Sequence, residues 1–596
     1  MPERNDPAGQ HQDGQASNRA SAILPARDHV VLRHALRISL AIALVIWFIV
    51  AALLLGLRYV VLPRVDAFRP RIEAVLSERL HAQFRIGRLA PHWSGFQPGI
   101  DVTDLTIRDR HGVIALSVPH ATATVAWRSL LEWSPLLSSL IVERPDVLIQ
   151  KEEDGSLAVA GVQVPSAHTG NATFSTWLLR QQAIVFRGGT LRWLDSTRDV
   201  PELALHDIRM AILNDGYDHR FALQAPSEDA LLHGTLDFRA HFTHARFSQA
   251  GKPIDWNGDA YLSTGPVDLP TLARYVNLPI TTYTGRIGNA IWAHFAHGRI
   301  ESANGVLDGT GVGLQVRATQ PKLDVPRAHF DWRVDAAPGD YRLNLSDFHA
   351  ELGQPPLPDG TPLTRVLALS TLDAHFRQQS VQHGQLFSVR GDRIDLGILA
   401  EFLRALPLPP RVLSELVRFN PRGLVANYDL GMERARPEAN EAASEQRSTS
   451  TEPFVHYRFK GDLQGISVAA QEPPPGLTAR NHPRAGLPGV ENLWGHIDAD
   501  EKHGWIELDT QNAAVTLPGV FDDPRLQLDR LYGAAEWTVA DHRAPGDTHK
   551  AFSVNVTQLG IENAGTRATM TARYSNPGHG RGSLDLKAQF PVVRVD

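Results

Sequence analysis

The sequence predicts a mainly β fold carried on one N-terminal transmembrane helix. Three observations carry that expectation. Ile38–Leu57 (ISLAIALVIWFIVAALLLGL) is 20 residues long and uncharged. Many later stretches alternate apolar and polar residues with period two, as in Thr235–Phe242 (T-L-D-F-R-A-H-F) and Ser583–Phe590 (S-L-D-L-K-A-Q-F). Helical periodicity is confined to a few short segments. Strands with one apolar and one wet face are the mark of antiparallel sheet.

The uncharged run is the first element. As a helix it rises about 30 Å, the thickness of a bilayer's hydrocarbon core. Arg37 and Arg58 bracket it, and no polar stripe marks it as a soluble core helix. Ile38, Trp47, Phe48 and Leu57 are the expected membrane-anchor residues. A cleavable signal peptide would have a shorter apolar region, about 7–15 residues, and a small-residue cleavage site. Charge does not orient the span. Arg19, Arg27, Arg33 and Arg37 precede it, and Arg58, Arg64, Arg69 and Arg71 follow. A long C-terminal domain can be translocated largely regardless of its charge, so the bulk beyond Arg58 is expected outside the cytoplasm.

Composition bounds the rest. The chain has 596 residues, too many for one ordinary core. Net charge is −6, from 59 basic and 65 acidic residues, so nothing points to nucleic acid as a partner. Cysteine is absent, which excludes disulfides, thiolate metal sites and cysteine nucleophiles.

Along the chain, residues 1–30 read as a disordered cytoplasmic tail and 31–62 as the transmembrane helix, ended by Pro63. Residues 63–150 form a β module that opens with a short amphipathic helix, Asp66–Leu80, whose apolar residues are Phe68, Ile72, Val75, Leu76 and Leu80. β-rich regions are expected over 151–430 and 454–596, separated by a disordered insertion at 431–453. Further helices are expected at Leu130–Leu140, Thr173–Gln182 and Arg411–Phe419. Val267–Val276 and Ile394–Leu403 look like copies, with Asp268 and Asp395 as N-caps. The chain stops after a strand without a closing element, so it reads as the N-terminal part of a longer β structure.

Catalytic and metal constellations are not found, and no cofactor is expected. His241/His244 and His294/His297 have HxxH spacing, but residues i and i+3 of a strand face opposite sides. Gly309-Thr-Gly311-Val-Gly313 lacks the lysine of a phosphate-binding loop. Asp and Glu are scattered, and neither GxSxG nor HExxH occurs.

The apolar strand faces outnumber the helices that could cover them. In Thr235–Phe242 the shared face is Leu236, Phe238, Ala240 and Phe242. Near the end it is Phe552, Val554 and Val556, then Leu584, Leu586, Ala588 and Phe590. Two solutions stay open from the residues alone. Two sheets can face each other as sandwiches, the commoner arrangement. Alternatively one sheet curls and leaves its apolar face lining a groove, which needs an apolar ligand.

A resemblance bears on this choice. Arg85-Ile-Gly-Arg-Leu89, Trp93-Ser-Gly-Phe96, Asp101–Asp109, Trp127-Arg-Ser-Leu-Leu131 and Glu143-Arg-Pro-Asp-Val-Leu-Ile-Gln150 resemble the N-terminal module of AsmA-like proteins. Trp177-Leu-Leu-Arg-Gln181, Gly188-Gly-Thr-Leu-Arg-Trp-Leu-Asp195, Trp256-Asn-Gly-Asp-Ala-Tyr261 and Trp494-Gly495 are similar to the YhdP branch. The resemblance implies an inner-membrane anchor and an elongated, curved antiparallel sheet in the periplasm. It implies an apolar groove along that sheet, phospholipid as the ligand, and outer-membrane or envelope proteins as partners. No catalytic residue carries over. The ten groove candidates are then Leu236, Phe238, Ala240, Phe242, Phe552, Val554, Val556, Leu584, Leu586 and Phe590. A solid envelope scaffold of β-sandwiches, without lipid transport, is the competing expectation.

Overall fold

A computed structural model of the chain describes residues 27–592, apart from 81, 110–111, 133, 135, 165–172, 229–230, 247, 249, 279, 316–321, 355–362, 379–383, 405–409, 435–455, 473–485, 520–522, 542–549 and 578–581. A helix runs from Arg27 to Gly56, so residues 27–30, expected in the tail, are helical. The rest of that tail and most of the 431–453 insertion lie outside the described residues, while 431–434 complete the strand Arg422–Arg434. Pro63 does not end the helix as expected. A π turn at Leu57–Val61 leads into a 3-10 segment, Leu62–Phe68, and an α-helix, Arg69–Leu80. Pro63 sits in the first turn of the 3-10 segment, where a missing N–H costs little.

All 26 strands among the described residues belong to one sheet. Gln83–Ser94, Gln97–Arg108 and Ile114–Val125 pair antiparallel in chain order. The next position is shared by Leu137–Glu143 and Asp146–Lys151, split at Arg144 and Pro145; both run parallel to Ala183–Asp195. From Ala183 onward each strand pairs antiparallel with the next, as far as Ser583–Val592. The expected helix Leu130–Leu140 is replaced by a short helix, Arg128–Glu132, and the strand Leu137–Glu143. Pro135 lies between them in sequence and cannot donate within a helix. The other expected helices form as Thr173–Arg180, Leu269–Tyr275, Leu396–Arg404 and Pro410–Phe419. Asp268 accepts from the Thr271 amide at 3.0 Å, and Asp395 from the Gly397 and Ile398 amides at 2.8 and 3.0 Å.

The strands carry a recurring kink. Asp104, Asp207, Asp347, Asn427, Asn492 and Asn512 have left-handed backbones, with φ between 50° and 61°. Each stands in a four-residue pattern: Val102-Thr-Asp-Leu105, Leu205-His-Asp-Ile208, Leu345-Ser-Asp-Phe348, Val425-Ala-Asn-Tyr428, Val490-Glu-Asn-Leu493, Thr510-Gln-Asn-Ala513. The alternation slips by one residue there. The apolar side chains nevertheless stay together: Val102 and Leu105 share one cluster, as do Val425 and Tyr428. Asn and Asp tolerate this conformation because their short polar side chains bond locally. Such irregularities bend strands and raise their twist.

The first strand is an edge, and the 3-10 segment and helix that follow the long apolar helix cap it. The Leu89 amide donates to Asp66 (3.1 Å), that of Ile86 to Glu73 (2.7 Å) and that of Phe84 to the Ser77 hydroxyl (3.0 Å). Arg69 donates to the Ile86 and Gly87 carbonyls. These four side chains satisfy groups that an open edge would leave free to recruit another chain, and they tie the sheet to the segment that follows the long apolar helix.

Candidate functional site

Strand register joins the separate apolar faces into one. Starting at the first strand, Leu89, Val102, Ala121, Val142, Phe186, Met210 and Leu223 are successive cross-strand partners. From Leu223 the row passes through Phe238, Leu262, Ile291, Gly305, Trp332, Leu345, Leu372 and Gly391. Two residues along the same strand, Val389 hands it to Leu430, Phe459, Ala499, Gly504, Trp537, Val554, Tyr574 and Leu584. Partners in a ladder share a face, so every strand along this row gives an apolar residue or glycine to one side; Asp146–Lys151 and the short strands Leu157–Val159 and Val162–Val164 lie outside it. Leu236, Ala240, Phe242, Phe552, Val556 and Leu586 lie on that side too, at two-residue steps from the row. Phe590 follows the same alternation beyond Ala588, where the register to Thr566–Asn576 shifts.

One residue away, the row on the other side is mostly polar. Arg239, Tyr261, Trp292, Asn304, Arg333, Asn344, Asp373 and Arg390 continue as Asp429, Lys460, Asp498, Trp505, Glu536, Asn555, Arg573 and Asp585. Histidines here pair with carboxylates: His241 with Asp218 (2.7 Å), His294 with Asp259 (2.9 Å), His329 with Asp308 (2.7 Å). The Asp308 carboxylate raises the His329 pKa. His244 turns away from His241, towards the Ala245 carbonyl and the Ser248 hydroxyl. His297 lies in a turn with φ 53°. Among the described residues no group of three or more His, Cys, Asp or Glu is placed to hold a metal ion. Gly309–Gly313 belongs to the strand Arg299–Gln315, not to a phosphate loop.

Between sandwiched sheets, a central row would be fully buried. Leu89, Ala121 and Val142, at the first strands, are buried, whereas Phe238, Leu262, Ile291, Trp332, Leu345, Leu372, Leu430, Phe459, Trp537 and Val554 are half-buried. Leu584, Leu586 and Phe590 are 63%, 52% and 58% exposed. All strands among the described residues belong to one sheet, so no separate second sheet covers this face there. Short helices pack on it instead, near the strand ends. Leu179 of Thr173–Arg180 meets Phe242, Trp256 and Phe295. Leu269 and Ile398, from the two look-alike helices, enter one cluster with Val325 and Leu352.

Beneath Thr173–Arg180 lies a cavity of about 530 Å³ bounded by Leu178, Leu179, Phe221, Phe238, Phe242 and Phe295, among others. His219 stands at its wall, 1% exposed. Its Nδ1–H donates to Asn214 Oδ1 (2.7 Å), and Nε2 has no partner among the described residues. Burial, with the nearby His244, pushes its pKa down to about 4. It is therefore a neutral ring at pH 7, fitted to an apolar surrounding.

The sequence anticipated the three candidate strands but not their lateral connection, nor the kinks that preserve it. The apolar-x-Asp/Asn-apolar pattern was the available signal for five of the six kinks, Thr510 replacing the first apolar residue in the sixth. The register that joins the strands has no local signature.

The fold and this face define a class: a large, antiparallel-dominated sheet with an N-terminal helix long and apolar enough to cross a membrane. The family model described as YhdP protein matches residues 29–596, and the chain belongs to that family. Membership points, in general terms, to an envelope protein connected with lipid transport. No curated protein and no solved structure matches the chain.

Proposed function

We propose that this is a non-enzymatic protein, anchored in the inner membrane, that conducts phospholipid along the apolar face of its periplasmic sheet towards the outer membrane. The observation that carries the reading is the unbroken row from Leu89 to Leu584. With strands about 4.8 Å apart, the row is on the order of 100 Å long. One lipid spans half a bilayer, about 15 Å of hydrocarbon. A surface that exceeds its ligand several-fold fits a conduit rather than a single binding pocket. The half-burial of the row's side chains from Phe186 to Tyr574 supports the same reading, because a large uncovered apolar surface calls for an apolar occupant. In this reading the kinked strands curve around a groove and the short helices line its rims.

The test uses the purified full chain. Phospholipid should be recovered from the parent by mass spectrometry. Phe238→Glu and Leu586→Glu should lose it while melting near the parent's temperature, because a carboxylate at an open face stays hydrated. An unpaired charge buried between sheets costs several kcal/mol. Folding collapse at both sites, with no lipid ever recovered from the parent, would refute the conduit. Protease added to spheroplasts reads the orientation and should digest the chain beyond Arg58; complete protection contradicts it.

A further inference from the structure

The helix after the membrane span has two faces, and the sheet uses one. Asp66, Arg69, Glu73 and Ser77 recur every three to four residues, so they share one side, and all four bond the edge strand Gln83–Ser94. Phe68, Ile72 and Val75 share the opposite side and are 46%, 37% and 51% exposed. Arg64 and Arg71 fall on that outward side by the same spacing. Arg58, Arg85 and Arg88 are also exposed, and none of these five arginines makes an ion pair among the described residues. From Arg58 to Arg88 seven arginines face three carboxylates, a net charge of +4. Two of the three, Asp66 and Glu73, are already held by strand amides.

An apolar stripe fringed by uncompensated arginines is the composition of a helix lying at a membrane surface. Chain continuity identifies the surface. Arg58 directly follows the uncharged span, and the π turn and Pro63 supply the features at which helices bend. Arg58 also sits over the Trp93 ring, 5.1 Å from its centroid. Trp is enriched at the level of lipid headgroups. If the sheet is outside the cytoplasm, the arginines stand where a membrane protein's flank normally lacks them, and so call for a local function.

We infer that this outward face docks into the headgroup layer of the leaflet beside the sheet and binds anionic phospholipid there. Phe68, Ile72 and Val75 enter the acyl boundary, and the arginines hold the phosphates. The docked helix clasps the strand of Leu89, where the apolar row begins, so the site gathers lipid at the foot of the conduit. Only this last step rests on the proposed transport; the docking stands without it.

The chain has no cysteine, so Ile72→Cys, and Thr571→Cys on the polar side as control, can each carry one environment-sensitive fluorophore. The full chain is placed in phosphatidylcholine vesicles with and without phosphatidylglycerol. Lipid-borne nitroxide should quench the label at 72 several-fold more than the control, and phosphatidylglycerol should increase the difference. Replacing Arg64, Arg71, Arg85 and Arg88 by Gln should remove that increase and leave the melting temperature unchanged. Equal water access at both labels overturns the inference, as does indifference to phosphatidylglycerol. Abolition by millimolar inorganic phosphate would assign the arginines to free phosphate and overturn it too. Lipid recovered from the purified protein is read separately, so the conduit and the docking can fail independently.

Discussion

His219 shows how one residue reports the character of the apolar face. Its ring is buried between Phe242 and His244, 5.0 and 5.1 Å away, and its pKa is held near 4. In the unfolded chain it returns to about 6.5. Between those values the unfolded state binds the extra proton, so stability falls as pH drops through the window, by up to about 3 kcal/mol. The prediction is that the parent's melting temperature falls more steeply from pH 7 to pH 5 than that of His219→Gln. Identical slopes would remove His219 as the cause. His329 acts with the opposite sign: its pKa is raised by Asp308, so its contribution is present below the unfolded value and fades as pH rises through the folded one. Neither shift could be read from the sequence, because each depends on which strand lies alongside.

At the scale of the element, the strands are built to stay apolar on one side through a kink. Asn512 is the cleanest instance, since its backbone has φ 54° and its side chain makes no hydrogen bond among the described residues. Asn512→Val should cost about 1–2 kcal/mol, the penalty of the left-handed conformation for a residue with a branched Cβ. Asn512→Gly should cost much less. Denaturant unfolding of the two variants checks this, and equal losses would mean that the conformation is not what matters there. The helices were legible where Asp268 and Asp395 announced their caps. The helix expected over Leu130–Leu140 gives way to Arg128–Glu132 and the strand Leu137–Glu143, with Pro135 between them in sequence. The edge-capping role of Asp66, Glu73 and Ser77 was hidden, because helical periodicity shows which residues share a face but not what that face meets.

For the whole molecule, the long apolar helix and the β class were written in local patterns, an uncharged run and period-two alternation. The continuity of the face was not, since it depends on pairing between strands up to dozens of residues apart. The central claim is that phospholipid moves on one side of this sheet only. A photo-crosslinking amino acid placed at single positions in the full chain, in cells, tests it most directly. Phe238, Trp332, Phe459 and Val554 lie on the apolar side, and their sequence neighbours Arg239, Arg333, Lys460 and Asn555 on the other. The account predicts phospholipid adducts at the first four and none at the second four, repeated from strand to strand. Adducts on both sides alike, or on neither side at any strand, would contradict it.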